Sequence, residues 1–325
     1  MFKSLFAIIS NTFTETIRQP VYGVVIATAL LLLIFTPSLS MFTMSDDDNL
    51  LKDIGLSTLM VAGLFLAVFA SANVVSDEIE KKTVLTVVTK TVSRTNFVIG
   101  KFLGISVAVT LGLYFLFLTL MMMCRIGVMQ TASHEVDTVV VTLGSIAIGI
   151  SIVISLLGNY LYNWRFSSAA TILATISATL VMIILTMLDS KWKFNAAENH
   201  LPWDLIIPGL LVWISSIILV ALAVACAIRF NLVMTMTVCS IAFVLGAMIQ
   251  YKLGPIISDG GIKAYFAWIA MAIVPSTSIF VVSEPLYTDQ PVPMKYLIAS
   301  GSYAACYIAA VLTIAVALFR KRELG

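Results

Sequence analysis

The chain has 325 residues, of which 60% are apolar and 11% charged, with a net charge of +2 and a mean hydropathy of +1.04. That balance excludes a water-soluble globule and leaves no basic surface of the kind that meets nucleic acid. Apolar blocks of 18 or more residues recur along the whole length, each sufficient for the roughly 20 residues that cross a bilayer as helix. In lipid every backbone polar group has to be paired internally, and the two-residue alternation of an outer-membrane barrel is absent. The fold class read from this is an all-α polytopic membrane protein forming a single membrane domain over 1–325.

The chain opens on an amphipathic stretch, 1–19. Phe2, Leu5, Phe6, Ile9, Phe13 and Ile17 fall at helical spacing on one side, with Lys3, Ser10, Asn11, Thr14 and Arg18 elsewhere around the axis. A secretory signal would place a short basic segment ahead of a short apolar one, whereas here about 20 amphipathic residues precede a full-length span. The expectation is a helix lying in the membrane interface and leading into Pro20.

Eight spans follow, at 21–43, 54–76, 96–124, 138–163, 166–188, 205–229, 231–251 and 294–319. A further apolar block, 264–284, is interrupted by Pro275 and the run Ser276-Thr277-Ser278. Cytoplasmic loops concentrate Lys and Arg. With the N terminus inside and 264–284 not crossing, the inside holds 12 of the 19 basic residues and only 5 of the 17 acids. If the block crossed, the basic tail Arg320-Lys321-Arg322 would be expelled. The expectation is therefore eight spans, an outer re-entrant segment at 264–284, and both termini cytoplasmic; a ninth span is the alternative, since proline kinks occur within genuine spans.

The densest run of charge, 76–95, joins the second and third spans on the inner side. Ser76 is placed to cap a helix whose first turn carries Asp77, Glu78 and Glu80, where negative charge suits the helix dipole. Asp77 with Lys81 and Glu78 with Lys82 are acid-before-base pairs four apart. Val84, Leu85, Val88 and Val92 gather on one side, with Lys82, Thr83, Thr86, Lys90 and Ser93 opposite. This predicts an amphipathic cytoplasmic helix, although its Val and Thr content also admits a short extended piece near 86–92. Periodicity alone fits equally a solvated connector that only supplies positive charge, and Lys81, Lys82, Lys90 and Arg94 equally suit anionic headgroups. Just beyond it, Gly100 and Gly104 have the spacing that lets another helix approach closely.

The same residues resemble a known family. The run E-I-E-K-K-T at 78–83, Leu85, T-K at 89–90, V-S-R at 92–94 and I-G-K-F-L-G at 99–104 is similar to the signature of type-2 ATP-binding-cassette (ABC) permeases, which carry E-x-E-x-x-T, K-P-V-S-R and G-K in this order between their second and third spans. The motif matches cover 76–104. Two departures stand out, Thr91 where the family usually has Pro, and eight spans where six are common.

The resemblance implies a permease subunit of an exporter-type complex that dimerises with a second copy or a homologous permease. It also implies a separate cytoplasmic ABC ATPase subunit that binds the ATP, so no cofactor is expected in this chain. On that likeness 76–95 is a coupling helix, with Glu78, Glu80, Lys81, Lys82, Thr83, Lys90, Ser93 and Arg94 as ATPase-coupling residues. It further implies a bacterial cytoplasmic-membrane location and the outer re-entrant segment before the last span. A non-transporting membrane anchor that recruits an ATPase or an assembly complex is the alternative.

Chemistry of the chain's own is not evident. The Gly100-Lys101 pair is followed by Phe102 at a span entrance and is no phosphate-binding loop. The span interiors are nearly free of ionisable groups, which argues against intramembrane catalysis and ion-coupled transport. Asn73, Ser151, Ser155, Asn159, Ser167, Ser168, Ser215 and Ser216 read as helix-packing polar groups. Cys124, Cys226, Cys239 and Cys306 show no metal or redox spacing, and His134 and His200 sit in loops outside any metal pattern. Ser276, Thr277 and Ser278 read as a helix end at Pro275, with a lined exit path as the alternative. Trp192, Trp203, Trp268, Tyr251, Tyr265 and Tyr287 fit an outer aromatic belt.

Overall fold

A computed structural model describes residues 2–39, 47–76, 93–128, 137–190, 192–194, 201–258, 265, 269, 271, 273–281 and 292–320. Among them the chain is helical and has no strand, only an isolated bridge between Leu188 and Phe194. The helices are α1 (Phe2–Ile17), α2 (Pro20–Leu39), α3 (Asp47–Ser71), α4 (Arg94–Ile126), α5 (Thr138–Tyr162), α6 (Phe166–Leu185), α7 (Ile206–Ala227), α8 (Leu232–Ser258) and α9 (Met294–Arg320). A π-helical turn, Ala72–Ser76, prolongs α3, and a 3₁₀ turn, Trp203–Leu205, leads into α7. Eight of these, α2 to α9, are long and apolar enough to cross a membrane.

Burial separates the eight into two groups. In the most apolar windows of α3, α4 and α7, between 61% and 67% of residues are buried, against 17–33% in the other five. The three form the centre, with α3 running along α7 and both against α4. Side chains from all three, among them Leu66, Ile105, Leu116 and Leu219, are almost wholly enclosed. Outward faces of α2, α5, α6, α8 and α9 keep Leu, Ile and Val exposed, as helices solvated by lipid do. Four helices of the periphery touch the centre directly. The exception is α5, which pairs along its length with α6 and hardly meets α4, so the α5–α6 hairpin hangs on the bundle through α6.

The ends differ in charge. Arg18, Arg94, Lys101, Arg165, Arg229 and Arg320 lie at the end where α1 sits, and Glu15 is the sole acid there among the described residues. At the far end Lys52 pairs with Asp204 at 2.6 Å. Arg125, buried, donates from Nε to Asp137 at 3.0 Å and from its two terminal nitrogens to the carbonyls of Leu185 (2.7 Å) and Leu188 (2.9 Å). Asp137 in turn accepts from the amides of Val139 and Val140 and from the Ser190 hydroxyl. Each nitrogen of the guanidinium and both carboxylate oxygens have a partner, and such added hydrogen bonds are what allow a buried ion pair to be tolerated. It ties the end of α4 to the start of α5 and the end of α6.

Of the block 264–284, residues 273–281 are described continuously. The chain leaves helical geometry at Val274, directly before Pro275, and makes a 3₁₀ turn, Thr277–Phe280. Ser276 and Thr277 are buried: the Ser276 amide donates to the Tyr303 hydroxyl (3.1 Å) and Thr277 Oγ1 to the Phe243 carbonyl (3.2 Å). Two further phenols close the break, Tyr307 donating to the Ile273 carbonyl and Tyr296 to that of Ile279. Backbone and hydroxyl groups freed at the break are thus paired with α8 and α9.

Candidate functional site

Of the residues singled out by sequence, Glu78, Glu80, Lys81, Lys82, Thr83 and Lys90 lie outside the described residues, as do His134 and His200. Ser93, Arg94, Gly100 and Gly104 are described, and they fall on one junction. Ser93 is the N-cap of α4, accepting from the Asn96 amide at 3.2 Å, and Arg94 is the first residue of that helix. Ser76 likewise closes the π-helical turn of α3. The charged segment is therefore bounded directly by two central helices.

The glycines act on α1. A Cβ at Gly104 would stand 2.6 Å from Thr12 Cβ and 2.8 Å from the Ile9 carbonyl oxygen, and one at Gly100 would stand 2.7 Å from Ile8 Cγ2. The small-residue stripe lets α1 lie against the backbone of α4. The face of α1 that meets it is Leu5, Ile8, Ile9 and Thr12, so Thr12 and Thr16 are fully buried while Phe6 is 72% exposed. Apolarity does not choose between Phe6 and its neighbours; the narrow groove over Gly100 and Gly104 selects the smaller side chains.

Lys101 stands between the two glycines and is also buried. Its Nζ is 3.5 Å from Glu15 of α1 and 5.7 Å from the centre of the Phe97 ring. Phe97 stacks on Phe319 of α9, with ring centres 5.3 Å apart. Arg94 Nη1 donates to the Arg320 carbonyl at 2.8 Å, which occupies one of the end carbonyls of α9. On the other side Asn73, in the π-helical turn, donates to Gln19 Oε1 at 3.3 Å. The junction therefore joins α1, the end of α3, the start of α4 and the end of α9 around the two points where the charged segment leaves and returns.

A cleft lies beside it, between the α5–α6 hairpin and helices α2 and α4. Its chamber at the α1 end holds about 710 Å³, and a second chamber of about 240 Å³ lies toward the far end. Phe115, Ile148 and Ala174 border both. Both chambers are walled mostly by apolar side chains. Arg18 and Arg165 stand at the mouth of the larger one. They are brought together by a local device: Ser167 Oγ donates toward the carbonyls of Ile17 (3.3 Å) and Gln19 (3.2 Å), and Gly23 leaves room for Ser167. The turn itself has Asn163 in the left-handed region at φ 54° and Asn159 Nδ2 donating to the Trp164 carbonyl.

Most of the polar span residues hydrogen-bond within the bundle, whereas the buried Ser215 hydroxyl has no partner among the described residues. Ser151, Ser155 and Ser216 donate to carbonyls four residues back, and Ser151 also meets Ser177 at 2.9 Å across the hairpin. Sequence reading missed the cleft and the Arg125–Asp137 clamp. Arg125 follows directly on a span and Asp137 directly precedes one, a signal that such a clamp leaves; nothing in the chain marks the stand-off of α5 from α4.

No protein-family model matches the chain, and no curated protein matches it.

Proposed function

We propose that the chain is the membrane-spanning permease subunit of an ABC exporter-type complex, driven by ATP hydrolysis in a separate ATPase subunit. The observation that carries the reading is the junction at the base of the charged segment. A force applied to 77–92 would reach α3 and α4, the two ends of that segment, and through them α1 and α9, which are locked to the same residues. A connector that merely neutralises charge needs no such lock. The motif likeness over 76–104 supports the same reading, with Glu78, Glu80, Lys81, Lys82, Thr83 and Lys90 facing the ATPase.

In this arrangement α1 lies in the inner membrane interface, with Phe6 toward lipid and its polar flank toward the ATPase. Residues 264–284 form an outer re-entrant segment, both termini are cytoplasmic, and the complex holds two permease chains in a cytoplasmic membrane. ATP-driven closure of the ATPase pair moves the junctions of both and opens a path for cargo. Beyond Asp53 in α3, between Lys101 and Arg125 in α4 and throughout α7 the central helices carry no charged side chain, so apolar or lipidic cargo suits them better than a highly charged solute in a wide pore.

The test is E78A/E80A/K82A in vesicles containing the ATPase that co-purifies with the chain. The expected result is an assembled complex that hydrolyses ATP without moving lipid or solute. Transport at the level of the unaltered complex would refute the coupling role. ATP turnover that moves nothing even in the unaltered complex would favour a membrane anchor that recruits an ATPase.

A further inference from the structure

We propose that the larger chamber of the cleft binds an anionic two-chain phospholipid from the leaflet at the α1 end, with its phosphate between Arg18 and Arg165 and an acyl chain along the apolar wall. Three observations converge on this occupant, and none depends on the transporter reading.

Depth comes first. Along α2 the chamber is lined from Pro20 to Leu30, about ten residues and hence ~15 Å of helix. Phe115, Ile148 and Ala174 line it where it meets the smaller chamber. That depth is about half of the ~30 Å hydrocarbon core, the reach of one leaflet.

Charge comes second. Both arginines are exposed, and neither guanidinium has a hydrogen bond or ion pair among the described residues. Arg165 is the N-cap of α6 and makes no side-chain capping bond there, so the positive end of that helix dipole adds to the two cations. Glu15, the one described acid at this end, faces Lys101. A second copy of the described surface therefore offers no carboxylate to the pair, whereas a lipid phosphate does.

Wall chemistry comes third. Below the arginines the lining is aliphatic and aromatic, and Ser151, Ser167 and Thr171 spend their hydroxyls on backbone carbonyls. A soluble anion would satisfy the mouth and leave the chamber unfilled; a diacyl lipid satisfies both.

The experiment is native mass spectrometry of the delipidated full chain titrated with phosphatidylglycerol and, separately, phosphatidylcholine. At roughly fivefold per cation, the expected preference for the anionic lipid is about thirtyfold. It should vanish in R18Q/R165Q and largely persist in R18K/R165K, and A170W, which narrows the chamber wall, should lower phosphatidylglycerol occupancy with both arginines in place. The proposal is overturned if the preference survives R18Q/R165Q, or if glycerol phosphate without acyl chains displaces the lipid as well as phosphatidylglycerol does. Unchanged lipid binding in A170W together with lost self-association would assign the cleft to a second copy instead. The arginine variants alter exposed side chains, so they remain decisive if A170W fails to fold.

Discussion

Adding one methyl group at Gly104 should loosen α1 from the bundle. Its Cβ would stand 2.6 Å from Thr12 Cβ and 2.8 Å from the Ile9 carbonyl oxygen, where ordinary carbon contacts need about 3.5–4.0 Å. One obstacle is backbone, which no rotamer change removes, so α1 would have to move away by about 1 Å. Overpacking of this kind costs ~1–3 kcal/mol. The better helix propensity of Ala over Gly returns up to ~1 kcal/mol, which leaves a net loss of about 0–2 kcal/mol and a gap of about 1–3 kcal/mol from a site where the added methyl group is unopposed. Gly149 in α5 supplies the control, since a Cβ there meets nothing within 4 Å. Thermal unfolding in detergent should rank G104A below the unaltered protein and G149A at or above it. Hydrogen exchange should localise the loss, with faster exchange in α1 and little change in α5. G104A as stable as G149A, with α1 protected as before, would refute the argument that close approach over Gly104 holds α1 in place.

Three further outcomes follow from the same geometry. R125A leaves Asp137 buried opposite an empty site and should cost ~3–5 kcal/mol, whereas R125A/D137A should recover part of that loss; thermal midpoints of the three proteins in one detergent decide it. K101M should be tolerated, because Glu15 is 37% exposed and can turn to water, while K101E buries like charges together and should cost at least ~3 kcal/mol, read as lost expression and a lowered midpoint. The Trp213 indole, which donates to Thr110 Oγ1 at 2.8 Å, should show a coupling of ~0.6 kcal/mol, and no more than about 1.7, in a W213F/T110A double-mutant cycle.

The spans were legible because their cause is local. A block of about 20 apolar residues has to become a helix in lipid, whatever it packs against, and the eight blocks read from hydropathy correspond to α2–α9, although α3 begins seven residues earlier than read and α8 runs seven further. Gly100 and Gly104 were legible as a packing surface for a similar reason, since absence of a side chain is a property of the residue itself. Which helix fills that surface was not legible. The amphipathic pattern of α1 marks Phe6 and Ile9 alike, yet the groove accepts Ile9 and Thr12 and leaves Phe6 outside.

Boundaries of the charged segment moved for a related reason. Ser93 reads as part of a polar helix face until α4 begins beside it and needs a cap for its first amides.

Composition and hydropathy by themselves determined that this is a helical membrane protein, where its spans lie, and which stretch of it is rich in charge. These are properties of residues against a solvent, and they sum along the chain. Tertiary structure alone decided that α3, α4 and α7 are central, that Arg125 finds Asp137 and the end of α6, and that Arg18 and Arg165, 147 positions apart, share the mouth of one cleft. Each depends on which helix faces which. In lipid no hydrophobic drive distinguishes one apolar face from another, so small residues, hydrogen bonds and shape make that choice.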